Sequence, residues 1–211
     1  MDFRQLVEKR RMVRRFDQRP VPRERLMKIL DVVRYTPSAG FSQGFEFIVL
    51  DEPSQVERFW EVTQHPDHPV DEDLIAYRPP CIVLPVANVN AYLERYSRPD
   101  KMPFGRQHAE EWPMPFWYID TGMAVMLALL SAVEEDLGAW FFGLQWIPGE
   151  QTLSQELGIP EGCRPIGALG LGYALPETIH RGPYSNRRRP LETMIHFGAW
   201  DATKAAGAAD V

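Results

Sequence analysis

The chain is poor in cysteine: Cys81 and Cys163 stand far apart, with no Cys-x-x-Cys spacing. That argues against a disulfide framework or a cysteine zinc site, and reduced thiols in a cytoplasmic protein are the simpler reading. It also lacks a positive balance. Its 23 Lys and Arg against 29 Asp and Glu give a formal charge of −6, which argues against a general nucleic-acid or anionic-membrane binder. Long apolar runs are missing too. The longest, Met123 to Val133, is broken by Ser131 and falls short of the roughly 20 residues that span a bilayer. The opening Met1-Asp2-Phe3-Arg4-Gln5 carries no apolar stretch of the signal-peptide kind. No internal repeat is visible.

Chemistry-bearing motifs are equally sparse. His65 and His68 are three apart, but Pro66 and Pro69 oppose a rigid ligand face, so a flexible loop and no metal are expected. Ser38 has no nucleophile-elbow context. Gly167, Gly170 and Gly172 have the wrong spacing for a dinucleotide fingerprint, and no helix opens after them.

What remains is an ordinary globular composition, 45% hydrophobic and 25% charged, over 211 residues. It fits a single domain over 1–200 with a small, polar tail at 201–211. Asp2 is placed to cap a first helix with Phe3, Leu6 and Val7 on its apolar face. Pro22 opens a second, with Leu26, Ile29, Leu30 and Val33 at helical spacing, ended by Thr36-Pro37. Phe45 to Leu50 reads as a strand. Ser54 is expected to cap a short helix through Phe59 and Val62.

A Pro/Asp-rich connection, 65–80, leads to a strand over Cys81 to Val86, with Pro85 expected near its end or at an edge. A short helix around Ala91 to Tyr96 follows. Ser97 to Trp117 is a loop rich in proline and aromatics, of the kind that forms lids. Asp120 or Thr121 is expected to cap the strongest helix, which runs to about Leu137 and stops at Gly138. That helix is apolar on nearly all sides and needs a large core or a subunit interface. Strands at Ala139 to Gly143 and Pro165 to Tyr173 flank a small helix at Leu153 to Leu157. Helices outnumber strands, giving an α+β fold with a mixed or antiparallel central sheet.

Two segments stand out. Arg10-Arg11-Met12-Val13-Arg14-Arg15-Phe16 concentrates guanidiniums in an acidic chain. A guanidinium forks onto phosphate and carbonyl oxygens and stays charged. The plainer reading pairs these arginines with Glu8, Asp17 and Glu24 at the surface. The second segment, Thr36-Pro37-Ser38-Ala39-Gly40-Phe41-Ser42-Gln43, presents backbone N–H groups and hydroxyls, and Gly40 permits a positive φ. Alone, it is only a turn. A further basic cluster, Arg187, Arg188 and Arg189, lies near the C-terminus.

Taken in order with Asp120-Thr121-Gly122, Leu137 to Gly143 and Gly170-Leu171-Gly172-Tyr173, these segments resemble the nitroreductase family from Val7 to Trp200. The resemblance implies a three-layer fold, with a sheet flanked by helices, in an interlocked homodimer. It implies a flavin mononucleotide (FMN) cofactor and NAD(P)H, NADPH included, as reductant. Arg10, Arg11, Met12 and Arg14 would meet the phosphate, ribityl chain or pyrimidine edge. Pro37, Ser38, Ala39, Gly40 and Gln43 would line the pocket from the other subunit. Phe142 and Gly143 would place a backbone N–H near flavin N5, and one or more of Arg187, Arg188 and Arg189 would hold the phosphate. No side chain is singled out as acid or base.

Phe41 and the loop aromatics Phe104, Trp112, Phe116 and Trp117, within a lid at 97–117, would receive an aromatic or conjugated acceptor, such as a nitroaromatic or quinone. Met12 stands where the family usually has Ser, Phe41 where it has Asn, and Gly44-Phe45 where it has Pro-Trp. Gly40-Phe41-Ser42-Gln43 also resembles the branch that fragments reduced flavin to dimethylbenzimidazole. That branch has an Asp where Met12 stands, so its chemistry is not expected here. A deazaflavin-dependent reductase, a specialised flavin desaturase or dehalogenase, and a non-enzymatic flavin-sequestering protein remain alternatives.

Overall fold

The structure, a computed structural model, describes residues 1–64, 78–144, 147–176 and 188–205. The His65–His68 pair and most of the Pro/Asp-rich connection lie outside the described residues, as does Arg187. The chain divides into two compact units, Met1–Thr178 and Ile179–Val211.

In the first unit, helix α1 (Phe3–Lys9) starts where the sequence places it. Asp2 accepts from Gln5 N–H at 2.9 Å, and the Gln5 side chain returns to Asp2 N–H. Strand β1 (Phe16–Asp17) and helix α2 (Arg23–Asp31) follow, and a 3₁₀ turn at Val32–Tyr35 ends the helix. Next come strand β2 (Phe45–Leu50) and helix α3 (Pro53–Thr63). The cap of α3 is Glu52, not Ser54: Pro53 takes the first turn, where its missing N–H costs nothing, and Glu52 and Gln55 close a capping box.

Strand β3 (Cys81–Asn88) and helix α4 (Val89–Tyr96) lead through two 3₁₀ turns, Met102–Phe104 and Ala109–Glu111, to the long helix α5 (Phe116–Glu134). Strand β4 (Gly138–Phe142), helix α6 (Ile147–Glu156) and strands β5 (Cys163–Pro165) and β6 (Ala168–Ala174) complete the unit.

The strands form one six-stranded sheet, ordered β1-β6-β3-β2, with β4 also on β6 and β5 also on β3. All strand pairs are antiparallel, and one isolated parallel bridge joins Met12 to Ala139. Strand β3 explains the layering. Alternate side chains of a strand face opposite ways. Cys81 and Val83 pack on one side with Leu26, Ile29, Val125 and Leu129 of α2 and α5. Ile82 and Leu84 pack on the other with Val56, Phe59 and Leu153 of α3 and α6. A strand covered on both faces needs a continuous apolar run, which Cys81 to Ala87 supplies.

Pro85 therefore sits in mid-strand, not at an end or edge. Its carbonyl accepts from Ile166 N–H at 3.0 Å, so the N–H it lacks would point to the same side, where β5 has ended and β6 has not begun. The β2 ladder on its other side is undisturbed, with Phe47 opposite Pro85. The expected single strand over Pro165 to Tyr173 is split into β5 and β6 at this same point.

Helix α5 begins at Phe116, earlier than expected, and Asp120 and Thr121 lie inside it, buried. It ends at Glu134. Asp136 takes a left-handed φ of 51°, Leu137 N–H returns to Ala132 O, and Gly138 opens β4 instead of stopping the helix. One face of α5 enters the core through Ala124, Val125, Ala128 and Leu129, while Ile119, Met123 and Met126 form an exposed stripe. Helix α1 packs beside α5 and also exposes Phe3 and Val7.

In the second unit, a 3₁₀ turn at Leu191–Thr193 precedes helix α7 (Ala202–Ala205). His196 stacks on Trp200 at 4.3 Å.

Candidate active site

The arginine segment leaves α1 in extended form and runs beside β4. Val13 N–H donates to Ala139 O at 2.9 Å, and Met12 bridges Ala139. Val13 itself packs on Gly138, where any Cβ would stand 2.8 Å from the Val13 side chain. Residues far apart in sequence are thereby brought together, because β4 ends at Phe142, directly before Gly143.

Arg14 lies over the Trp140 ring at 6.0 Å. Arg11 folds back on its own segment, donating to the carbonyls of Glu8 and Arg10. Arg10 Nη1 is buried and finds no hydrogen-bond partner among the described residues. A buried N–H with nothing to donate to is costly, and a phosphate or carbonyl oxygen is the group it suits. Met12, half-exposed, offers no hydroxyl here.

Gly143 is exposed, and a Cβ there would meet none of the described residues within 4 Å. It opens onto a cavity of about 380 Å³ lined by Tyr118, Arg164, Glu150 and Ile166. Arg164 is held by Glu150 at 2.7 and 3.3 Å, and that carboxylate raises its already high pKa further. Phe142 points away from this cavity, stacking on Trp60 at 5.5 Å and lying 4.3 Å from Trp140.

The Pro37–Gln43 turn takes its contacts from α4 and α5. Gly40, Phe41 and Gln43 all have left-handed φ, at 62°, 57° and 49°. Such a conformation is rare for Phe and Gln and costs of order 1–3 kcal/mol per residue. The surroundings enforce it. Ser38 Oγ accepts from Gln43 N–H at 2.9 Å, and Ser42 Oγ donates to Ala39 O at 2.7 Å. Arg95 Nε donates to Gly40 O at 2.8 Å while its other nitrogens grip Asp100 at 2.9 and 2.7 Å. That grip holds the Asp100 carboxyl below its usual range. Gly40 lies against Tyr96, where a Cβ would come within 2.7 Å of the ring. The result is a rigid turn with Phe41 displayed outward, 72% exposed.

One member of this region was hidden in the sequence. Asp120, expected as a cap, sends its carboxylate across the core: Oδ2 accepts from Ala39 N–H at 2.9 Å and from Tyr92 Oη–H at 2.7 Å. Burial, with the hydrogen bond to Asp120 behind it, pushes the Tyr92 phenol well above its ordinary value, so it stays the donor. An acidic residue buried in mid-helix is the available signal, but it appears only once the helix start is known.

The loop aromatics divide. Trp112 and Trp117 turn inward, each 7% exposed, and pack edge-to-face with Tyr92 and Tyr96 beneath the turn. Trp112 Nε1 donates to Arg106 O at 3.1 Å. Phe116 is half-buried at their margin, and Phe104 faces outward. Arg188 and Arg189 are exposed in the second unit, with Arg189 donating to Thr193 O at 2.8 Å. Burial pushes the Cys81 thiol up to about 12, which removes it as a nucleophile near neutral pH.

Comparison with known proteins gives a consistent result. A Methanothermobacter thermautotrophicus protein, provisionally named NADH dehydrogenase/NAD(P)H nitroreductase, is 27% identical over 193 residues, covering 91% of this chain and 87% of that one. The crystal structure of a nitroreductase family protein from Clostridium difficile superposes with a TM-score of 0.69 at 23% identity, over 95% of this chain and all of that one. One from Streptococcus pneumoniae gives 0.71 at 16% identity, over 92% and 99%. These two structures establish likeness of fold. Residues 7–173 match the Nitroreductase family, and with its antiparallel sheet between helical layers the chain belongs to that family.

Proposed function

We propose that the protein is a flavin-dependent oxidoreductase that binds FMN and takes its electrons from NAD(P)H. The observation that carries this reading is the pairing of Met12 and Val13 with Ala139. It sets the arginine segment alongside the strand leading to Gly143, the two places where a flavin's anionic end and its reactive ring would need the protein. The residues fit such a group: among the described residues, a buried Arg10 Nη1 has no hydrogen-bond partner and nothing obstructs Gly143, and the turn is rigid, with small and hydroxyl-bearing residues.

When bound, the flavin supplies the two-electron chemistry, taking hydride from NAD(P)H and passing it to an acceptor that enters the same pocket in turn. The chain binds and orients. Arg10 and Arg14 meet the phosphate or the carbonyl edge of the ring, where a fixed positive charge favours the reduced, anionic form. Phe142 and Gly143 bring backbone to the ring's central edge.

Phe41 and Phe104, both exposed, are the surfaces offered to a planar, conjugated acceptor, with 97–117 as the lid that carries Phe104. The exposed apolar stripe of Ile119, Met123 and Met126, with Phe3 and Val7 beside it, supports a homodimer in which each Ser38–Gln43 turn serves the partner's flavin.

Anaerobic NADPH titration of the purified protein, followed by visible absorption, tests this reading. Paired flavin bands that bleach on reduction are the expected result. A colourless protein that takes up no added FMN would overturn it and favour a deazaflavin. A flavin that binds but is not reduced would favour a carrier role.

A further inference from the structure

The buried carboxylate of Asp120 has no evident use in the helix that contains it. Asp is a poor helix-interior residue, and a buried carboxylate is costly unless hydrogen bonds satisfy it. Here it is 2% exposed, and it spends one oxygen on Tyr92 and on a single backbone N–H, that of Ala39. Ala39 N–H belongs to the peptide just before the left-handed stretch that starts at Gly40. Two peptide groups further along, Gly40 O is gripped from the rim by Arg95, which is itself tied to Asp100. Acid from the core side and base from the rim side therefore hold the peptide groups on either side of the Ala39–Gly40 peptide, whose own carbonyl accepts from Ser42 Oγ. The Tyr96 ring closes the space under Gly40.

We propose that Asp120 is the positioning residue for the Ser38–Gln43 turn: it anchors Ala39 so that the turn keeps the strained shape in which it meets the cofactor and displays Phe41. The cofactor half of this statement rests on the flavin reading above; the anchoring half does not. Tyr92 orients the carboxylate and does not itself touch the turn's backbone through that bond.

The test uses the full-length protein in three forms. Tyr92→Phe keeps the Asp120–Ala39 bond. Tyr92→Phe with Asp120→Leu removes the buried hydroxyl together with the carboxylate, so the core stays apolar and Ala39 N–H alone loses its partner. Asp120→Asn keeps an acceptor of the same shape. Amide hydrogen exchange of the peptide covering 38–44 is read without added cofactor, against 56–63 as internal reference. FMN affinity is then read by fluorescence titration.

The double variant is expected to exchange at least tenfold faster over 38–44 and to bind FMN at least tenfold more weakly. Tyr92→Phe and Asp120→Asn should stay within about threefold of the parent on both readouts. Unchanged exchange over 38–44 in the double variant, even with a lowered Tm, would overturn the proposal and leave Asp120 as a core residue only. Faster exchange with unchanged FMN affinity would overturn its cofactor half. A parent protein that binds no FMN would sink the flavin reading, while the exchange comparison would still decide the anchoring.

Discussion

Around Ser38–Gln43, peptide groups are bonded to α4 and α5 and the two serines tie the turn to itself; along Arg10–Arg14 the backbone is bonded to β4, while Arg11 turns back on its own segment and Arg14 lies over Trp140. The turn is held by Asp120, Arg95, Tyr96 and its own serines in a conformation it would not adopt alone. The arginine segment is fixed at Met12 and Val13, yet among the described residues Arg10 Nη1 has no hydrogen-bond partner, and Arg11 donates to the carbonyls of Glu8 and Arg10. The first wall is preorganised, and its strain is offset by packing. On the function proposed above, the arginine segment is the electrostatic side of the site, whose favourable energy would come from a bound anion. Mutations in the first should therefore register in stability, and mutations in the second in binding.

The largest effect should come from Gly44→Ala, next to the turn. Its Cβ would stand 2.6 Å from the Asn88 carbonyl oxygen and against the Tyr92 ring, at a place where Asn88 N–H is bonded to Gly44 O. Overpacking of this kind costs about 3 kcal/mol. For a chain of this size that is a Tm fall of about 6–12 °C in thermal denaturation. An unchanged Tm would mean that the turn region yields easily, and the contrast between the walls would disappear.

Arg10→Ala should do the reverse. Losing a charge-assisted bond to an anion costs roughly 1.5–3 kcal/mol, a tenfold to hundredfold rise in Kd for FMN by titration. The Tm of the cofactor-free protein should stay within a degree or two, because the buried Arg10 Nη1 has no hydrogen-bond partner among the described residues. A Tm fall as large as that of Gly44→Ala would make this wall structural as well.

The smallest effect concerns the rim of the turn. Asp100 is held below its usual pKa, first by its hydrogen bonds to Arg95 and then by that charge. A depressed carboxylate stabilises the fold above the unfolded value of about 4, and that contribution is lost as pH falls through the folded value. Asp100→Asn should thus be slightly less stable than the parent in urea at pH 7, with the two curves converging as pH drops below about 4. A difference that persisted at low pH would mean that Asp100 acts by packing, not charge.

Much of the fold was legible in the sequence because its signals are local. The Asp2–Gln5 capping box, the apolar run that became β3 and the spacing of α2 are set by neighbours a few residues away. The ordered motifs also pointed to the nitroreductase family, which the match over 7–173 bears out. Local patterns misled where two readings compete. Ser54 and Asp120 both look like caps, and each stands within a helix that starts earlier. Pro85 looks like an edge residue until a gap between two partner strands accommodates it.

The sequence by itself determined most of the elements and, through its ordered motifs, the family, since periodicity, capping and turn chemistry depend on short stretches of chain. Only the tertiary structure decided what each wall is made of. It sent Trp112 and Trp117 under the turn, laid Met12 and Val13 on Ala139, and carried Asp120 across the core to Ala39. A buried polar group takes its partner from whatever the closed chain brings within hydrogen-bond reach, and no spacing along the sequence encodes that choice.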